Sequence, residues 1–104
     1  MPTRITMDAH VIDGLMPDLV GHDRQPSAFL VYLYLYRHAG SKRAGGIRAS
    51  LQQIASDTGL SKSAVQHALR TLKRRRLVHG RSVSATAAPD YEVKMPWLRT
   101  TAER

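Results

Sequence analysis

Apolar residues recur at helical spacing in three stretches of the chain. In QPSAFLVYLYLYRHAGS, Phe29, Tyr32, Leu33 and Tyr36 stand at i, i+3, i+4 and i+7 and form one stripe. Pro26 suits a first helical turn, where its missing N–H has no helical partner, and Gly40 can take the left-handed backbone that ends a helix. Val31 and Leu35 extend the apolar surface to a second side, and a helix apolar on two sides is buried on two sides. That second side faces either the rest of the chain or another subunit. Val31, Tyr34 and Leu35 are the residues a homodimer would use there.

The next two helices are short and close together. Ser50 and Gln53 have capping-box spacing, Leu51, Ile54 and Ala55 make an inner face, and Gly59 stops the helix. Ser61 then caps a helix that runs to about Arg75, with Val65, Ala68, Leu69 and Leu72 on its apolar side. IRAS, LVHGRSVS and YEVKM read as short strands. SATAAPD is a loop of small residues between the last two, and SKRAGG is a basic loop. At the N-terminus, TRITMD alternates weakly, as a short strand or arm would. AHVIDGLMPDLVG has near-helical spacing interrupted by Gly14 and Pro17, which predicts a short helix or turn. The expected organisation is an N-terminal extension over 1–25 that could serve as a dimerisation arm, a domain over 26–95, and a tail over 96–104 without a readable pattern.

Composition narrows the class. The 104 residues suit one small domain, and dimerisation would add to its limited core. Without cysteine there is no disulfide scaffold, thiol nucleophile or cysteine zinc site. No apolar run is long enough to span a bilayer, and the N-terminus has no apolar signal core, so a cytoplasmic protein is expected. His10, His22, His38, His67 and His79 lack metal-ligand spacing. No phosphate-binding glycine motif occurs, and nothing arranges Ser, His and Asp as a triad. No catalytic, cofactor or metal site is expected.

Charge changes the picture more. The net charge is +8, and the excess is local: Thr58 to Pro89 contains no acid, whereas the first 24 residues hold Asp8, Asp13, Asp18 and Asp23 against two arginines. A basic field confined to one part of a fold favours an anionic partner, most often nucleic acid.

Two short helices joined by TGLS make close demands on residue type. Ala55 is small where the helices touch, Gly59 tolerates a sharp turn, Leu60 can plug the gap, and Ile54, Val65 and Ala68 point inward. These six positions match a helix-turn-helix. The longer stretch GIRASLQQIASDTGLSKSAVQHALRTLKRRRLV resembles the DNA-binding half of GntR-type and MarR-type bacterial regulators, and the winged-helix modules of plasmid replication initiators. The resemblance covers Phe29 to Met95. It implies a mainly α winged helix-turn-helix, with a three-helix core plus a short antiparallel sheet.

In that family the outward face of the second short helix enters the major groove. Here the resemblance assigns base reading to Lys62, Ser63, Gln66, His67 and Arg70. Arg and Lys can pair with guanine, and Gln with adenine. Phosphate contacts fall to Ser61 at the helix N-terminus, to Lys73, Arg74 and Arg75 beyond the base-reading part, and to Lys42, Arg43 and Arg81 from loop and wing. The implied protein binds double-stranded DNA as a homodimer and represses transcription in a bacterial cytoplasm, associated with the nucleoid. GntR regulators carry a further effector domain after the wing. Here the sequence stops just past the wing, so a small-molecule effector is not expected. The alternative is a winged-helix module for protein–protein contact, or a replication or partition accessory. The Lys and Arg density of the third helix argues against it. Structured-RNA binding lacks its usual exposed sheet aromatics.

Overall fold

A computed structural model describes residues 3–39, 46–81 and 88–97. Its centre is helix α1, Pro26–Ala39, which packs against α2 (Leu51–Thr58), α3 (Lys62–Arg74) and the sheet. The sheet holds β1 (Gly46–Arg48), β2 (Val78–Arg81) and β3 (Asp90–Val93), antiparallel throughout, in the order β1-β3-β2. Three helices and a small β-wing make this a winged helix-turn-helix. Gly40, Lys42, Arg43 and most of the wing loop lie outside the described residues.

Local chemistry sets the helix ends. Ser50 Oγ accepts from the Gln53 N–H at 3.0 Å, and Ser61 Oγ from the Ala64 N–H at 3.1 Å. Gly59 closes α2 at φ +83°, a left-handed backbone that favours glycine. Helix α3 ends in a Schellman arrangement. The Leu77 N–H bonds the Leu72 carbonyl, the Arg76 N–H bonds the Lys73 carbonyl, and Leu72 and Leu77 are both buried. The left-handed residue there is Arg76, at φ 60°.

The N-terminal segment differs from expectation. It is helical through both Gly14 and Pro17, as two wide π-helical turns at Val11–Leu15 and Pro17–His22. Pro17 heads the second turn, where it has no N–H to lose. A Cβ at Gly14 would lie 2.3 Å from the His10 imidazole, so the glycine makes room for that ring. Residues 3–8, the weakly alternating stretch, form no strand.

Val11, Leu15 and Leu19 join Phe29, Val31, Tyr32 and Leu35 of α1 in one core with Val65, Ala68, Leu69 and Leu72 of α3. Each large apolar side chain buried there contributes about 1.5–3 kcal/mol. The side of α1 left open for a second subunit is thus filled within the chain. Val31 and Leu35 are 0% exposed. Tyr34 is half-buried and donates to Asp57 Oδ2 at 2.6 Å. None of the three offers an open dimer surface.

Residue Trp97, in the stretch expected to be featureless, closes the N-terminal segment. Its Nε1–H donates to Asp8 Oδ2 at 3.0 Å and its ring lies 4.7 Å from that of His10. The Asp8 N–H in turn donates to the Tyr36 hydroxyl. Among the described residues no helix is long and apolar enough to cross a membrane.

Candidate nucleic-acid interface

Helix α3 has two faces. Val65, Ala68, Leu69, Thr71 and Leu72 are buried; Lys62, Ser63, Gln66, His67 and Arg70 are exposed. At 1.5 Å per residue, Lys62 to Arg70 spans roughly 12 Å, close to the width of a B-DNA major groove. Lys62, Gln66, Arg70 and Lys73 form one row along this face, and Ser63, His67 and Arg74 the row beside it. The Arg70 guanidinium approaches His67 Nδ1 at 3.5 Å across the two rows. The fold therefore brings all five base-reading candidates onto one open surface.

The phosphate candidates divide. Ser61 at the head of α3, Arg74 at its end and Arg81 at the end of β2 are exposed. Ser61 uses its hydroxyl oxygen as the α3 cap and keeps its O–H to donate. Lys73 is exposed but leans on the sheet, its Nζ 5.8 Å from the centre of the Tyr91 ring. Lys42 and Arg43 lie outside the described residues.

Arg75 does not join the open basic set. Its guanidinium pairs with Asp18 and, through Nε, with Asp23 Oδ2 at 3.2 Å. It stands three residues past Leu72 and seven past Ala68, so its helical phase turns it toward the core side and the N-terminal segment. That phase is legible in the sequence; charge alone concealed it. One turn back, the buried Thr71 hydroxyl donates to Gln25 Oε1 at 3.1 Å. Sequence reasoning missed this clamp. Its signals were a polar Thr71 on an apolar face and aspartates outside the basic stretch.

Asp18, His22 and Asp23 bring ligand-type atoms within 4.8 Å of one another. The Arg75 guanidinium pairs with both carboxylates, so the cluster is accounted for as its ion-pair partner.

The perturbed ionisations belong to α1, the sheet and the N-terminal segment. Burial, then the Asp57 hydrogen bond and charge, push the Tyr34 phenol up to about 12. Burial also raises Tyr32, whose hydroxyl donates to the Lys94 carbonyl, and Tyr91. The Trp97 N–H, then the His10 N–H, hold Asp8 below its ordinary value.

A family model described as a helix-turn-helix domain matches residues 25–78, just over half of the chain. The match begins where the N-terminal segment ends and stops at the first residue of β2. No curated protein and no solved structure matches the chain significantly.

Proposed function

Since the chain belongs to the helix-turn-helix domain family, a DNA-binding family, we propose that it is a sequence-specific regulator of transcription that represses by occluding a promoter. Helix α3 reads the major groove through Lys62, Ser63, Gln66, His67 and Arg70. Ser61, Lys73, Arg74 and Arg81 hold phosphates, with Lys42 and Arg43 as further contacts. The observation that carries this reading is the open polar face of α3, with five hydrogen-bonding side chains and no acid from Thr58 to Pro89. Such a face can pair with base edges, while the surrounding cations take the phosphates.

The protein acts as a homodimer in this reading, so that two α3 helices face successive major grooves about 34–36 Å apart. Selection of bound sequences from a random duplex library, at stated salt, tests the proposal. A palindromic consensus is expected. Equal retention of all duplexes would reduce the protein to a non-specific binder, and no retention would favour a protein-contact module.

A further inference from the structure

Gly80 interrupts a wing strand, where glycine weakens a sheet and often marks a close approach. Its backbone does not require glycine: among the described residues Gly59 alone of the glycines has positive φ. What Gly80 supplies is space. A Cβ there would lie 3.0 Å from Lys73 Cε, 3.1 Å from Lys73 Nζ and 3.3 Å from Tyr91 Cε1. Gly80 and Tyr91 are direct cross-strand partners, so the Lys73 side chain crosses the sheet where one partner has no side chain and the other offers a ring. The ammonium is attracted to that ring, and the ring is itself buried and fixed.

We infer that Gly80 and Tyr91 are positioning residues that hold the Lys73 ammonium in place for a DNA phosphate at the junction of α3 and the wing. The inference rests on the DNA-binding reading above. Lys73 continues the row of Lys62, Gln66 and Arg70, and its side chain carries the ammonium from the end of that row to the sheet at Gly80 and Tyr91. It remains exposed, and its ammonium makes no hydrogen bond or ion pair among the described residues. An ordinary surface lysine loses rotamer freedom on meeting a phosphate; this one has already lost part of it in the fold. Neighbouring Arg74 has no such seat among the described contacts, so the two cations contribute differently although both face solvent.

The test compares Lys73→Met, Gly80→Ala, their double variant and Arg74→Gln on the selected duplex across a salt series. Lys73→Met is expected to remove about one unit of the salt slope. Gly80→Ala is expected to weaken binding severalfold and shift the slope the same way, with an unchanged melting temperature. The double variant should be no weaker than Lys73→Met. A purely structural glycine would instead lower affinity equally in the presence and absence of Lys73. Should Gly80→Ala unfold the wing, NMR of the unaltered protein decides: the Lys73 ε-protons should be shifted upfield by the Tyr91 ring. Random-coil shifts would overturn the inference. If Arg74→Gln changes the slope and Gly80→Ala does not, the positioning role fails and the DNA reading stands. If neither Arg74→Gln nor Lys73→Met changes it, both fail.

Discussion

Gln66 and Arg70 project from the middle of the exposed α3 row, with no ion-pair partner among the described residues. Truncating either to alanine is expected to cost about 1–3 kcal/mol on the preferred site and to relax specificity at the contacted base. Binding assays on single-base variants of that site check this, and a uniform loss on every duplex would mean that neither reads bases. Two left-handed residues give opposite predictions. Gly59 has open space around it, so only its backbone resists a side chain. Gly59→Val should therefore destabilise by more than about 1 kcal/mol. Arg76 already carries that backbone strain, so Arg76→Gly should stabilise by about 0.5–1 kcal/mol, the left-handed penalty less glycine's extra entropy. Urea melts of both variants would show whether the two turns are as described.

The cations of the α3 end and the wing act in two ways. Arg74 and Arg81 are open, and neutralising either should lower affinity on any duplex and flatten the salt dependence by about one unit. Arg75 ties α3 to the N-terminal segment, so Arg75→Gln should leave that slope nearly unchanged. It should instead lower stability by about 1–2 kcal/mol, between the exposed and buried limits for ion pairs. Salt titration and melting of the same variant separate the roles. Helix α1 carries a pH prediction. The Tyr34 phenol titrates near 12 in the fold against 10.0 unfolded, so its contribution is complete below pH 10 and is lost as pH rises toward 12. Tyr32, raised in the same direction, adds to that alkaline loss. Tyr34→Phe should make the fall of melting temperature above pH 10 shallower, and an unchanged fall would deny Tyr34 its part.

At the scale of the whole molecule, an apolar stripe is exposed among the described residues. Ile12, Met16 and Val20, at i, i+4 and i+8 of the N-terminal segment, are 40%, 37% and 36% exposed. Val31 and Leu35 are interior, whereas this stripe is exposed apolar surface that the proposed homodimer could use. It is small beside the roughly 800 Å² per partner of a standard interface, so weak self-association strengthened by shared DNA is expected. Sedimentation of the free chain and of its complex with a two-site duplex checks this. Met16→Glu should abolish pairing on DNA while leaving binding to a single half-site intact. One chain per two-site duplex for the unaltered protein would end the dimer reading.

Much of the fold was written in local chemistry. Ser50, Gly59 and Ser61 set the two short helices because a cap or a left-handed turn depends on a few adjacent residues. The open face of α3 follows from the 3.6-residue period of Val65, Ala68, Leu69 and Leu72. Tertiary structure decided the partners. Arg75 and Arg74 are adjacent and identical in sequence, yet Asp18 and Asp23, more than fifty positions away, remove only Arg75 from the open set. The helix through Gly14 and Pro17 draws on burial of Val11, Leu15 and Leu19, since its local signals argued for a break. Val31 and Leu35 announced a need for cover, but periodicity states only that a face must be buried. Which surface meets it depends on the path of the whole chain, and here α2, α3, the sheet and the N-terminal segment all pack on α1.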